Sequence, residues 1–140
     1  MLNFIDCQAL THTAVMTMLQ AAIDKADALG QPQCIVIVDA SGQLLGEIRM
    51  TGSKFLSRKS AHSKALTAAS IGAPSHVVPE AVRGAIAAAT DGTVTGLPGG
   101  MPIKHDGHLL GGIGIGSGSG EQDIAVAKAA LAAIGADAIA

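Results

Sequence analysis

The chain has 140 residues, a length at which one hydrophobic core is sufficient, so we expect a single domain covering residues 1–140. Apolar residues make up 49% of the chain but aromatic residues only 1%, and glycine occurs 18 times, so small aliphatic side chains have to pack closely. The net charge of -2, with 14% charged residues, supplies no basic field for nucleic acid or anionic lipid, and the absence of Trp and Tyr removes the usual platforms for base stacking.

We expect no targeting signal in the N-terminal segment. Its first ten residues, MLNFIDCQAL, lack the basic and continuously apolar regions of a secretion signal, and no apolar run in the chain is long enough to cross a bilayer. Cys7 and Cys34 form no CxxC pair and are too few for a disulfide scaffold. We therefore expect a cytoplasmic protein with reduced thiols and no membrane partner.

The first half of the chain predicts a helix, a hairpin and a second helix. Apolar residues recur every three or four positions over 6–29, which predicts an amphipathic helix with Asp6 as N-cap and Gly30 as stop. The next stretch, CIVIVDASGQLLGEIRM, predicts an antiparallel hairpin. Residues 56–71 form an Ala-rich pattern that ends at Gly72 and predicts a closely packed helix.

The second half predicts a short helix, a loop, another hairpin and a final helix. Pro79 suits the first turn of a helix that ends near Ala89, and the Gly- and Pro-rich residues after it predict a loop with at most a short strand at 93–95. Asp106 and Gly107 favour a type I′ turn between two strands. Ser119 then begins a capping box and a helix. The expected buried face of that helix comprises Ile124, Ala127, Leu131 and Ile134.

Two hairpins separated by helices favour a mainly antiparallel sheet with helices packed on its faces. The sequence thus predicts an α+β sandwich.

The most unusual segment is glycine-rich and reads GGIGIGSGSGEQD. It contains neither GxGxxG nor GxxxxGK, which excludes the common nucleotide-binding motifs. Its glycines fit a ligand surface and tight packing of helix on sheet equally well. Glu121 and Asp123 fit a general acid or base, although acidic residues in a first helical turn also stabilise the helix itself.

The histidines and lysines give no defined catalytic signature. His105 and His108 flank the Asp-Gly turn and are the pair expected to approach each other, but their spacing predicts no metal site. His62 and Lys64 lie two residues apart on one helix and point to different faces. No motif for nucleophilic catalysis is present, and whether Lys64 is reactive or reaches water is left open.

The segments SAHSKALTAASIGAPS, GLPGGMPI and DGHLLGGIGIGSGSGEQD, in this order and with the closing Ala-rich helix, resemble the GlcG/HbpS family, to which the C-terminal domain of PduO-type proteins belongs. The resemblance covers nearly the whole chain. It implies a profilin-like α/β/α sandwich, with an antiparallel sheet of about five strands and helices on both faces. It also implies a homo-oligomer and a small-molecule ligand, either haem or a corrinoid, in the setting of small hydroxy-acid or diol metabolism.

The resemblance places the ligand-binding residues in three segments that we expect to line one site. They lie in the second helix, in the Pro-Gly loop and after the glycines. The expected ligand-binding residues are Lys64, Thr67, Pro98, Gly99, Gly100, Glu121, Gln122 and Asp123, with Ala65 beside them in the helix.

Three functions remain open from the sequence. The first is a haem- or corrinoid-binding module with an axial ligand among His62, His105, His108 and Thr67. The second is an enzyme that moves a proton on a hydroxy or keto acid, with Lys64 and Glu121 as acid and base. The third is a purely structural oligomer.

Overall fold

The computed structural model describes residues 1–140 and shows four α-helices and one four-stranded sheet. The sheet order is β2-β1-β4-β3, and every neighbouring pair is antiparallel. The elements are α1 His12–Leu29, β1 Cys34–Asp39, β2 Leu44–Arg49, α2 Ser57–Ile71, α3 Arg83–Ala89, β3 Gly100–His105, β4 His108–Gly116 and α4 Gly120–Ala133, with single 3-10 turns at Ser75–Val77 and Glu80–Val82.

Helices cover both faces of the sheet, which confirms the predicted α/β/α layers. Because successive strand residues point to opposite faces, Ile35 and Ile37 of β1 join the larger core beneath α1 and α4. Val36 and Val38 point the other way, into the smaller core beneath α2. The centre of the sheet is therefore buried on both sides, which explains the uninterrupted apolar run in β1.

α2 lies unusually close to β4 because both surfaces are made of small residues. A methyl group added at Gly114 would collide with the Ala61 carbonyl oxygen, and one added at Gly112 with that of Ala65. These glycines of the repeated GIG pattern therefore serve packing of helix on sheet, one of the two alternatives that the sequence left open.

The sheet has four strands, and the expected number of about five was wrong. Residues 93–95 form no strand because threonine side chains bind the backbone groups that a neighbouring strand would use. The Val94 amide donates to Thr90 Oγ1 at 3.0 Å, and the Thr95 amide donates to Thr67 Oγ1 at 3.0 Å.

The helix starts differ from prediction at two places. α1 begins at His12 and not near Asp6, because Thr11 is the N-cap and its hydroxyl accepts the Ala14 amide at 3.1 Å. After Pro79 the chain first makes a 3-10 turn, so α3 begins only at Arg83.

The buried face of α4 is rotated from the expected one. It comprises Asp123, Val126, Ala127, Ala130 and Leu131, whereas Ile124 and Ile134 lie at its edge. The spacing of apolar residues could not predict this face, because the face includes the Asp123 carboxylate.

The remaining local predictions hold. Gly30 ends α1 at a φ of 67°, the predicted Asp106-Gly107 turn has φ values of 49° and 78°, and the Ser119 capping box is formed. None of the helices is long and apolar enough to cross a bilayer.

Candidate functional site

A buried ion pair joins α2 to the first turn of α4. Lys64 is 5% exposed and Asp123 is 2% exposed, and the Lys64 ammonium lies 3.0 Å from Asp123 Oδ2. Lys64 also donates to the Ile115 carbonyl oxygen at 2.7 Å, and the Gly118 amide donates to Asp123 Oδ1 at 3.1 Å. These contacts connect α2, the end of β4 and the start of α4 at one point.

Two glycines allow the surrounding backbone to approach this pair. A methyl group at Gly99 would lie 2.7 Å from the Ile115 carbonyl oxygen and 3.2 Å from the Lys64 ammonium. One at Gly118 would lie 2.8 Å from Asp123 Oδ1. The glycines within β4 therefore admit α2, whereas Gly99, just before β3, and Gly118, just after β4, admit the charged side chains.

The pair lies at the wall of a polar cavity of about 250 Å³. The wall consists mainly of ammonium groups, hydroxyl groups and glycine backbone, with only one large apolar side chain. Its residues are Lys54, Ser57, Ser60, Lys64, Leu97, Pro98, Ser117, Gly118, Gly120 and Asp123.

Three of the predicted ligand-binding residues line this cavity, namely Lys64, Pro98 and Asp123. Gly99 and Gly100 lie directly behind it. The Gly100 amide donates to Ser75 Oγ at 2.9 Å, and a methyl group there would collide with the Lys64 carbonyl oxygen. The structure thus brings together residues from all three predicted segments.

Glu121 and Gln122 do not line the cavity. Glu121 is exposed, and the Gln122 side chain accepts the Ser119 amide at 2.9 Å in the capping box. The carboxylate that meets Lys64 is that of Asp123, in place of the Glu121 that the sequence analysis named as its acid–base partner.

Thr67 is fully buried and has a structural role. Its hydroxyl oxygen lies 2.7 Å from the Ser63 carbonyl oxygen and 3.2 Å from that of Thr93. Together with the Thr95 amide, these contacts occupy the hydroxyl and hold the loop after α3. In this arrangement Thr67 is not positioned to bind a ligand or a haem iron.

The hydroxyl groups and the second ammonium of the cavity were not predicted from the sequence. Lys54, Ser57 and Ser60 occupy the start of α2 and the turn before it, and the Lys54 amide donates to Ser117 Oγ at 2.9 Å. The spacing of Ser57, Ser60 and Lys64 on α2 was the available signal, because residues three and four apart share a helix face.

The electrostatics of the pair are dominated by burial. Burial raises the pKa of the Asp123 carboxyl above its ordinary value, while the Lys64 ammonium and the Gly118 amide oppose this shift by stabilising the ionised form. With two ammonium groups and one carboxylate, the cavity wall carries one net positive charge. It is therefore suited to a small anion.

A second cavity, of about 360 Å³, lies on another side of α2. We call it the His62 surface, and its residues are Glu47, Phe55, Leu56, Arg58, Lys59 and His62. Phe55 and Leu56 are 68% and 67% exposed, which is unusual for large apolar side chains, and Arg58 pairs with Glu47 at 2.6 Å. An imidazole, an apolar wall and cations therefore meet at one open surface.

Two further histidines lie at the β3–β4 turn. His105 and His108 are paired in register across the β3–β4 turn, as expected, and both are exposed. His105 Nδ1 lies 3.1 Å from Gln8 Oε1, and His108 borders a smaller cavity with residues 6–8. Neither histidine has a large apolar wall beside it.

Comparison with known proteins gives a family match over most of the chain. The model of the family described as "Haem degrading protein HbpS-like" matches residues 10–132. The corrinoid adenosyltransferase PduO of Salmonella typhimurium is 34% identical over 131 residues, which is 90% of this chain and 39% of PduO. The chain therefore spans about two fifths of this curated relative.

Two solved structures share both fold and sequence with the chain. A crystal structure of a PduOC:heme complex is 31% identical, covers 95% of this chain and all of its own, and superposes with a TM-score of 0.87. A crystal structure of HbpS is 30% identical, covers 93% of each chain, and has a TM-score of 0.82.

Proposed function

The chain belongs to the HbpS-like family, and from this premise we propose that it is a haem-binding domain. The observation that carries the proposal is the PduOC:heme complex, a chain of the same fold and 31% identity that has been crystallised with haem. Similarity over 95% of this chain supports a shared ligand class.

We place the haem at the His62 surface, because the donor set there fits the group. Imidazole is a common axial ligand of haem iron, and His62 stands beside two exposed large apolar side chains, Phe55 and Leu56. Lys59 supplies positive charge for a propionate of haem, while Arg58 is paired with Glu47 on the same surface. The macrocycle would supply the iron chemistry, and the protein residues would hold and orient it.

The experiment is a titration of the purified protein with hemin, followed by visible absorption. We expect a saturable change in the Soret band in the wild type. In His62→Ala we expect the affinity for hemin to be at least about tenfold lower, because losing a metal ligand reduces affinity at least as much as losing a contact that supports the ligand. His105→Ala and His108→Ala are the matched controls and should bind as the wild type does.

The outcomes separate the parts of the proposal. A response that never saturates in the wild type contradicts haem binding. A saturable response that is lost in His105→Ala or His108→Ala, and kept in His62→Ala, contradicts the placement at His62. Adding hydrogen peroxide to the loaded protein then tests whether the Soret band is destroyed, as the family description "haem degrading" would require.

A corrinoid is the second candidate, favoured by the identity of 34% to a protein named corrinoid adenosyltransferase. A parallel titration with cobalamin tests it. Saturable cobalamin binding without any hemin response would replace haem by a corrinoid as the proposed ligand.

A further inference from the structure

The cavity beside Lys64 and Asp123 has the features of a second binding site. It lies on a different set of residues from the His62 surface, with no residue in common. We propose that this cavity binds the carboxylate of a small organic acid.

Donors inside the cavity are incompletely used, which is the first argument. An ammonium group has three N–H donors, and Lys64 uses two of them, on Asp123 and the Ile115 carbonyl oxygen. The third has no acceptor within the protein, and Lys64 lines the cavity wall. Buried polar groups nearly always have partners, so an unpaired N–H at a cavity wall indicates that a ligand or water accepts it.

A fully buried amide near the pair is the second argument. Gln33 is 0% exposed, and neither its Nε2 nor its Oε1 has a hydrogen-bond partner of good geometry, although its side chain is close enough to lower the pKa of Asp123. It lies behind Gly118, where an added methyl group would stand 2.6 Å from Gln33 Nε2. Apolar packing alone does not account for a polar cluster of this depth.

Charge and shape select the ligand class. The wall has one net positive charge, which fits a monoanion, and Asp123 would repel a second negative charge. It contains no arginine, so it lacks the planar fork that binds a phosphate or a carboxylate through two parallel bonds, and its donors are single ammonium and hydroxyl groups. The Ser57 and Ser117 hydroxyls add donors for carboxylate oxygens, whereas the Ser60 hydroxyl already donates to the Ser57 carbonyl oxygen, and a volume of about 250 Å³ admits a small acid.

The test uses haem-free protein labelled with ¹⁵N and titrated with acetate and lactate, with chloride at equal ionic strength as the control. We expect saturable shifts of the Ser117, Gly118 and Gly120 amides with the acids and none with chloride. Lys54→Ala should weaken binding about tenfold, because the side chain is exposed and its loss removes a charged donor without disturbing the core.

Lys59→Ala is the matched control, since Lys59 is also an exposed lysine of this region but lines the His62 surface. It should leave acetate binding unchanged. Shifts that do not saturate, that chloride reproduces, or that Lys54→Ala leaves intact would overturn the proposal. Tighter binding of inorganic phosphate than of either acid would overturn the carboxylate assignment.

Haem itself carries carboxylates, so the titration is repeated after loading with hemin. Acetate binding that persists supports a site for a free acid, whereas acetate binding that disappears assigns the cavity to a haem propionate and overturns a separate site. Because the first titration contains no haem, failure of the carboxylate site and failure of haem binding are distinguishable.

Discussion

At the scale of single residues, the Lys64–Asp123 pair is the feature that we expect to tolerate substitution least. Removing one member of a buried pair leaves the other charge without a partner in a medium of low polarity. We expect Asp123→Ala and Lys64→Ala each to lower the free energy of unfolding by about 3–5 kcal/mol, measured by urea denaturation, because each also leaves hydrogen-bonding groups of the site without their partner. Glu121→Gln, at an exposed position of the same helical turn, should change it by less than about 0.5 kcal/mol.

The double variant Lys64→Met with Asp123→Leu tests whether charge is the cause. Since it removes both charges, it should recover most of the stability that either single variant loses. A double variant as unstable as the sum of the two single variants would contradict the electrostatic explanation and favour a packing defect.

The raised pKa of Asp123 gives a pH dependence with a defined sign. Because the folded pKa lies above the unfolded one, the native chain holds a proton that the unfolded chain releases in the interval between them. The Asp123 contribution to stability is therefore fully present below the unfolded pKa and is lost as pH rises through the folded pKa. The stability of the wild type relative to the double variant should fall over this interval, and a rise would contradict the prediction.

At the scale of elements, the contact between α2 and β4 depends on the absence of side chains. Gly114→Ala should lower the free energy of unfolding by about 3 kcal/mol or more, because the added methyl group meets the Ala61 backbone and not a flexible side chain. Gly84→Ala in α3 is the control, since nothing lies within 4 Å of the added methyl group there. It should be neutral or stabilise the protein by up to about 1 kcal/mol.

The β3–β4 turn is held by the C-terminal segment. The Asp137 carboxylate accepts the Asp106 amide at 3.0 Å and the Gly107 amide at 2.8 Å, and the bond from Gly107 is the main reason that its pKa is lowered. The contribution of Asp137 to stability is present above the ordinary carboxyl pKa and is lost as pH falls through the lowered pKa of the folded state. Asp137→Ala should speed hydrogen exchange of both amides, and unchanged exchange would contradict it.

How far these elements could be predicted depends on whether the residues that determine them are neighbours in the sequence. Caps and turns are local, so Gly30, the Asp106-Gly107 turn and the Ser119 capping box were predictable from neighbouring residues. The absence of a strand at 93–95 depends on Thr67, which lies far away in sequence. The choice of Asp123 over Glu121 as the partner of Lys64 likewise depends on how α4 is rotated against the sheet, which apolar spacing misjudged.

At the scale of the whole molecule, large apolar side chains remain exposed in three groups on the surface. They are concentrated in the N-terminal segment, in β2 and before α2. The members of these groups are Leu2, Phe4, Ile5, Leu44, Leu45, Ile48, Phe55 and Leu56. Such surfaces commonly mark contacts between subunits.

We predict that the chain forms a homo-oligomer, as the family resemblance implies. Light scattering coupled to gel filtration should give a mass that is a multiple of the chain's own mass. Phe4→Ser should reduce this mass without unfolding the protein, because Phe4 is 89% exposed. A wild type that elutes as a monomer at all concentrations would contradict the prediction.

If haem binds at the His62 surface, its iron lies beside that histidine, and the position of the iron can be measured. Crystals grown with hemin, measured at the iron absorption edge, give an anomalous peak that locates the metal independently of the macrocycle. We predict a peak within coordination distance of a ring nitrogen of His62, beside Phe55 and Leu56. A peak at another histidine, or in the cavity beside Lys64 and Asp123, would contradict the account.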